Sequence, residues 1–135
     1  MIEVAVEQMM TEDLITVEPS QSLADAGQTM TEADIKSVVV SDAAERPTGI
    51  LTSTDFVRMA AEGTEPSEQT VAEAMTEDIV TATPETPVRA AADLMIDNTI
   101  SHLPVVDDDG RLVGIVTTTD VSAYVSRAGE LPRQQ

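Results

Sequence analysis

Two threonine–aspartate pairs have a spacing at which the side chains of one helical turn can bind a ligand together. Thr52 precedes Asp55 by three residues, and Thr117 precedes Asp120 by the same interval. If each pair lies where a strand runs into a helix, both side chains leave one edge of the first turn. The carboxylate can then accept hydrogen bonds from two ribose hydroxyls, while the threonine hydroxyl and the free N–H groups of the helix meet a phosphate.

The same spacing also has a purely structural interpretation. A threonine followed three residues later by an acid is a helix-capping arrangement, and an aspartate in the first turn complements the helix dipole. A single copy would favour capping. Because the motif occurs twice in similar surroundings, ligand binding is favoured, and capping can operate at the same time.

An internal repeat relates the two motifs. At an offset of 65 residues, Met10-Thr11-Glu12-Asp13 recurs as Met75-Thr76-Glu77-Asp78, and the segment 49–55 recurs as 114–120. Each copy is too small to bury a sheet alone, so the two are expected to pack face to face with pseudo-twofold symmetry. The segment around 62–68 is polar and rich in helix breakers, as a linker should be. The expected organisation is a first repeat at 1–62, a linker at 63–70, a second repeat at 71–126 and a flexible tail at 127–135.

Each repeat is predicted to run strand, helix, strand, strand, helix, so the fold class is α/β (α+β). Short β-prone runs at 14–17 and 79–81 are followed by prolines. Apolar residues at helical spacing then extend from Leu23 to Met30 and from Val88 to Met95. Pro87 suits the first helical position of the second of these helices.

The second half of each repeat is predicted to contain a pair of strands and a final helix. The helices begin near Asp55 and Asp120. The Asp107–Gly110 run lacks the alternate-residue spacing of a calcium loop, so it predicts a turn and no metal site. The methionines within the helical stripes are expected to fill the core. The paired strands are expected at 37–41 with 49–51, and at 103–106 with 112–116.

Composition restricts the partners. The formal charge is −18, from 25 acidic and 7 basic residues, so nucleic acids and anionic membranes are expected to be repelled. Cysteine is absent, which excludes disulfides and thiolate metal sites. The start of the chain has no basic segment typical of a signal peptide, and no apolar run reaches membrane-spanning length. We therefore expect a cytoplasmic protein whose acidity is typical of salt-adapted, and especially haloarchaeal, proteins.

Four consecutive motifs of the second copy resemble a CBS repeat, and the two copies together resemble a CBS pair, or Bateman module. The resemblance extends from residue 6 to about 125. It implies a stand-alone regulatory module that binds AMP, ADP, ATP or S-adenosylmethionine, needs no cofactor, forms a homodimer and acts on an unknown downstream protein. A departure is Val39, which stands where the second copy has Pro104. The four motifs lie at 71–76, 84–91, 101–107 and 114–120.

The resemblance also implies which residues would line the clefts between the repeats. Each threonine–aspartate pair would share its cleft with strand residues of the opposite repeat, and the aspartates would contact ribose. The isoleucines and the valine would offer backbone groups and an apolar wall to adenine, although core packing explains them equally well. The residues implied opposite Asp55 are Val80, Ile100, Ser101 and His102. Those implied opposite Asp120 are Ile15, Ile35, Lys36 and Ser37.

Two other functions remain open from the sequence. One is an interaction or scaffold module whose clefts stay empty. The other is an enzyme, which is weakly indicated because His102 is the single histidine and has no evident nucleophile partner, and because there is no glycine-rich phosphate loop. Intact threonine–aspartate pairs in both copies favour the ligand-binding module.

Overall fold

The structure, a computed structural model, describes residues 4–12 and 14–129. The chain divides into two compact units. One contains residues 15–79 and 110–112 and is called here the Asp55 unit; the other contains 80–109, 113–129 and the described residues before 15, and is called the Asp120 unit. The predicted mixed α and β fold class is confirmed. No helix within the described ranges is both long and apolar enough to span a membrane.

The Asp55 unit contains a three-stranded sheet in the order β1-β2-β3. Strand β1 runs parallel to β2, and β2 runs antiparallel to β3 in a register that places Ser37 opposite Thr52. The strands are β1 Thr16–Val17, β2 Ser37–Ser41 and β3 Pro47–Thr52. The helices are α1 Leu23–Ala33, α2 Ser53–Ala61 and α3 Val71–Ala74, with a 3-10 turn at Pro66–Glu68.

Helix α1 shows how the sequence pattern builds this unit. Its N-cap is Ser22, whose Oγ accepts a hydrogen bond from the Asp25 N–H at 3.1 Å. The predicted stripe of Leu23, Ala26 and Met30 is buried and joins the core formed with the valines of β2. The stripe therefore fixes one face of α1 against the sheet, and β3 leads from that sheet directly into α2.

The Asp120 unit repeats the order helix, strand, strand, helix, and its described residues contain a single bridge in place of a counterpart of strand β1. Strands β4 His102–Val106 and β5 Leu112–Thr117 are hydrogen-bonded to each other, and Val113 onward belongs to this unit. The helices are α4 Val88–Asp97 and α5 Thr118–Gly129, with a 3-10 turn at Val6–Gln8. Of the predicted tail, residues 127–129 end α5 and 130–135 lie outside the described residues.

Each unit also contains the short segment with which the other copy of the repeat begins. In the Asp120 unit, Thr11 and Ile115 exchange two backbone hydrogen bonds, of 2.9 and 3.0 Å. In the Asp55 unit, Thr76 and Ile50 exchange an equivalent pair, of 2.9 and 3.0 Å. Residues near the start of the chain are therefore part of the surroundings of Asp120.

Two glycines allow these segments to approach the strands closely. A Cβ added at Gly49 would lie 2.6 Å from the Met75 sulfur, and a Cβ added at Gly114 would overlap the Met10 sulfur. Glycine is therefore required at both positions by contact and not by a left-handed backbone. The methionines interlock with β3 and β5 just before the threonine–aspartate motifs.

The local predictions for residues 79–81 and for Pro87 need correction. The strand expected at 79–81 is wrong, because the chain turns locally there, with the Ile79 N–H bonded to the Glu77 carbonyl at 2.9 Å. A single parallel bridge, Ala82 with Val105, stands in its place. Pro87 is the N-cap and not the first helical residue of α4.

The corresponding run at 14–17 forms only the two-residue strand β1. The turn predicted at 107–110 is confirmed, with the Asp109 N–H donating to Asp107 Oδ1 at 2.9 Å and Gly110 at a φ of 82°.

Candidate functional site

Both threonine–aspartate motifs lie where a strand passes directly into a helix. In the Asp55 unit, β3 ends at Thr52, which is the N-cap of α2. The Thr52 N–H donates to Asp55 Oδ2 at 2.8 Å, and the Thr52 hydroxyl donates to the same oxygen at 3.3 Å. The capping interpretation of the motif is therefore confirmed for this copy, and the carboxylate is held rigidly at the first turn.

Asp55 has an additional partner on its own helix. Arg58 Nη2 lies 3.0 Å from Asp55 Oδ1, while the other carboxylate oxygen is bonded to Thr52. Asp55 is only 4% exposed, whereas the Arg58 side chain is 52% exposed. Both oxygens of this buried carboxylate are thus engaged within the unit.

Asp120 is held in a similar cap but has different neighbours. The Thr117 N–H donates to Asp120 Oδ2 at 2.9 Å, and the Asp120 N–H donates to Thr117 Oγ1 at 3.1 Å. The Thr11 hydroxyl lies 3.4 Å from each carboxylate oxygen, at the limit for a hydrogen bond. Asp120 is partly exposed, and Ala123 stands where the repeat would place a counterpart of Arg58. This carboxylate consequently keeps more of its acceptor capacity.

The start of strand β2 lies beside the Asp55 motif. The Ser53 N–H donates to the Lys36 carbonyl at 2.9 Å, and Ser37 pairs with Thr52 in the sheet. The structure therefore brings Lys36 and Ser37 to the N-terminus of α2, with the Lys36 side chain exposed.

The two predicted isoleucines of this unit have different surroundings. Ile35 lines an open depression of about 460 Å³ between α1 and α2, together with Ser53 and Phe56. Ile15, just before β1, is 42% exposed, which is unusual for a side chain with only a core role.

Strand β4 begins beside the Asp120 motif in the equivalent way. The Thr118 N–H donates to the Ser101 carbonyl at 3.0 Å, and Ser101 Oγ lies 2.9 Å from His102 Nδ1. Ile100 and Val80 are partly buried and pack against the core of this unit. The structure thus brings Ser101 and His102 to the N-terminus of α5. The expected sharing of each motif with strand residues of the opposite repeat stays a prediction.

The charge of His102 is controlled by two opposing effects. Burial lowers the pKa of His102 below its ordinary value of 6.5, and the negative charge of Asp120 partly offsets this by raising the pKa. Burial is the larger effect, so the imidazole is mostly neutral at pH 7. A phosphate arriving beside it would favour the protonated form.

This arrangement can bind a polyhydroxylated or anionic ligand. It offers two fixed carboxylates as acceptors, the N–H groups of two helix termini, and a lysine and a histidine at the neighbouring strand ends. Within the described ranges, no cluster of three or more histidines, cysteines and acids has the arrangement of a metal site.

Two residues at the site are not among those predicted from the sequence. Arg58 follows Asp55 by one helical turn, and that spacing is a signal for an ion pair that the sequence does carry. Thr11 is 109 positions from Asp120, and no local pattern indicates their contact.

These strand-to-helix motifs, repeated in two mixed α and β units, define the class of small tandem-repeat proteins. Residues 6–62 and 71–127 each match the CBS domain family. The chain belongs to this family and contains two CBS domains.

Relatives and solved structures agree with this assignment. The chain is 34% identical over 119 residues to the uncharacterized protein MK0525 of Methanopyrus kandleri, a match that covers 87% of this chain and 61% of that relative. It is similar to the CBS domain pair of protein MJ0100 in complex with 5′-methylthioadenosine and S-adenosyl-L-methionine. That match has a TM-score of 0.86 and 30% identity, and it covers 94% of this chain and 99% of the other. It is also similar to CBSX2 in complex with AMP, with a TM-score of 0.83, 27% identity, and coverage of 93% and 98%.

Proposed function

We propose that this chain is a regulatory module that binds an adenosyl compound, either AMP, ADP, ATP or S-adenosylmethionine, at its threonine–aspartate motifs. The observation that carries the proposal is the position of Asp55 and Asp120, each locked by its threonine at the first turn of a helix. A carboxylate fixed in this way is preorganised to accept both hydroxyls of a ribose. The two solved CBS pairs described above hold adenosyl ligands, which supports this class of ligand.

The neighbouring strand ends supply what the rest of an adenosyl ligand needs. Lys36 and His102 lie at the strand starts beside the two helix N-termini, where a phosphate would also interact favourably with the helix dipole. Ile15, Val80, Ile35 and Ile100 offer backbone groups and apolar surface to adenine, and Ser37 and Ser101 offer hydroxyls. Where only S-adenosylmethionine binds, the two cationic positions would have no phosphate to contact.

The proposal also covers catalysis, cofactors, the downstream partner and the oligomeric state. We propose that it performs no catalysis, uses no cofactor, and passes its ligand state to a separate protein in the cytoplasm. We also propose a homodimer, because Val57 and Ile96 are 69% and 74% exposed on short helices and closed twofold assembly would cover such surface. Light scattering in molar salt is expected to give the mass of a dimer, and a monomer at micromolar concentration would contradict it.

The ligand can be identified directly. Small molecules released from the purified protein are analysed by mass spectrometry, and a thermal-shift screen then covers adenosine, AMP, ADP, ATP and S-adenosylmethionine. At one hundred times Kd a ligand stabilises the folded state by about 2.7 kcal/mol, which gives a measurable increase in Tm. GMP and CMP serve as matched controls for the adenine ring. If none of the adenosyl compounds is released or raises Tm, the scaffold function is supported instead.

A further inference from the structure

We infer that Arg58 acts as an internal competitor for ribose at Asp55, so that the Asp120 motif binds an adenosyl ligand before the Asp55 motif does. This inference rests on the proposed function. The repeat makes the two motifs nearly identical in sequence, yet their carboxylates have different partners. The difference comes from one position of the repeat, which is Arg58 in the first copy and Ala123 in the second.

The geometry at Asp55 shows what a ligand would have to displace. Oδ2 is bonded to the Thr52 N–H at 2.8 Å, and Oδ1 is bonded to Arg58 at 3.0 Å. Asp55 is 4% exposed while the Arg58 side chain is half exposed, and the guanidinium occupies acceptor capacity of Oδ1. A ribose that uses this oxygen must therefore weaken or replace a charge-assisted hydrogen bond.

Among the residues that the structure describes, Asp120 has no ion pair of this kind. It accepts a hydrogen bond from the Thr117 N–H at 2.9 Å, and the Thr11 hydroxyl lies 3.4 Å from both oxygens. A hydroxyl both donates and accepts, so it can turn and bond to a ligand hydroxyl as well. Ribose binding here disturbs one long hydrogen bond from a hydroxyl, which costs less than separating an ion pair.

The order of binding can be measured for each motif separately. The Thr52 and Thr117 amides each donate to their own aspartate, so their ¹⁵N–¹H resonances report on the two carboxylates individually. Adenosine is the probe, because it has the ribose and adenine but no phosphate. In wild-type protein the Thr117 resonance is expected to shift at lower adenosine concentration than the Thr52 resonance.

Removal of the competitor provides the decisive comparison. In Arg58→Ala the midpoint of the Thr52 shift should fall about three- to tenfold, a range set by an ion pair of this exposure, while the Thr117 midpoint stays unchanged. The matched control Arg89→Ala removes one positive charge from an exposed position on α4 and should alter neither midpoint. A Thr52 midpoint that is unchanged or higher in Arg58→Ala, or a wild-type protein in which Thr52 shifts first, overturns the inference.

Two further measurements distinguish competition for ribose from a different role of Arg58. If Arg58→Ala does not fold, the wild-type titration is repeated from about 0.5 to 3 M KCl, where screening of the half-exposed pair should bring the two midpoints together. Midpoints whose separation is independent of salt overturn the inference. If Arg58→Ala weakens AMP at Thr52 without tightening adenosine, the arginine is a phosphate ligand and the inference is wrong. Absence of any shift with adenosine, AMP, ADP, ATP or S-adenosylmethionine overturns the proposed function itself.

Discussion

Arg58 and Asp55 are joined across one turn of α2, with Nη2 of the arginine 3.0 Å from Oδ1 of the aspartate. The equivalent aspartate of the second repeat, Asp120, is followed at that spacing by Ala123. This position gives Asp55 a charged partner on its own helix, whereas Asp120 has the Thr11 hydroxyl at 3.4 Å from both carboxylate oxygens. It also leads to a difference in how the motifs support the fold.

Replacement of the two aspartates should have unequal effects on stability. Asp55→Asn removes a capping carboxylate that is buried and ion-paired, so the free energy of unfolding is expected to fall by about 1.5–3 kcal/mol. Asp120→Asn removes a partly exposed cap and should cost about 0.5–1 kcal/mol. Urea denaturation in molar KCl gives both values. A larger loss in Asp120→Asn than in Asp55→Asn would mean that the pair with Arg58 does not support α2.

His102 should make stability depend on pH in a defined direction. Its pKa is lowered by burial in the folded protein, so below about pH 6.5 the unfolded chain binds more protons than the folded chain. The free energy of unfolding should therefore decrease as the pH falls from 6.5 through the lower pKa of the folded state. The wild-type protein is compared with His102→Gln by denaturation across this range, and this component of the pH dependence should be absent from the variant.

The same histidine can be titrated directly by NMR, because it is the single histidine of the chain. Asp120 raises its pKa, so Asp120→Asn should lower that pKa further below 6.5. Asp93→Asn, which makes the same loss of charge on a different helix, α4, should leave it unchanged. An unaltered pKa in Asp120→Asn would mean that the two side chains are not electrostatically coupled.

How far the sequence predicts this structure depends on the range of each interaction. The stripe Leu23, Ala26 and Met30 identifies α1 because helical periodicity is local, and the caps at Thr52 and Thr117 follow from a three-residue spacing. The strand predicted at 79–81 rests on β-prone residues alone, but a strand needs a partner along its length, and only Ala82 finds one.

The surroundings of the candidate site are predicted less completely, for the same reason. Lys36 and Ser37 lie at the N-terminus of α2, and Ser101 and His102 lie at the N-terminus of α5, so each pair is beside the motif of its own unit. The resemblance implied the opposite motif for each pair, and that sharing between the repeats stays a prediction. The contact of Thr11 with Asp120 could not be predicted from the sequence. Residues 4–12 pack with the second repeat through long-range tertiary contacts, which no local sequence pattern indicates. The ion pair of Arg58, by contrast, lies within the range of helical spacing.

Substitution of the interlocking glycines should lower the free energy of unfolding, and a smaller residue in place of the contacting methionine should restore part of the loss. Gly114→Ala places a methyl group against the Met10 side chain, which supplies the three nearest atoms, and overpacking of this kind costs about 1–3 kcal/mol. Met10→Ala opens the space, so the double variant Gly114→Ala/Met10→Ala should be less unstable than the sum of the single changes. Strictly additive losses in a double-mutant cycle would contradict the contact.

Salt should stabilise the folded state. A charge of −18 on 135 residues repels itself, and the Debye length falls from about 10 Å at 0.1 M salt to about 3 Å at 1 M. Circular dichroism is expected to show a Tm that increases steadily with KCl concentration. A Tm that stays flat between about 0.1 and 2 M would contradict adaptation to high salt.

The most direct test of ligand binding is calorimetric titration of AMP into the wild-type protein and into the double variant Asp55→Asn/Asp120→Asn, in molar KCl. The variant is first shown to be folded by circular dichroism, and Asp25→Asn/Asp93→Asn, which removes two acids from α1 and α4, serves as the matched control. We predict saturable heat for the wild type and the control, and at least tenfold weaker binding for the double variant, which corresponds to about 1.4 kcal/mol or more. Equal affinity in the folded double variant would contradict a role of the two aspartates in binding the nucleotide.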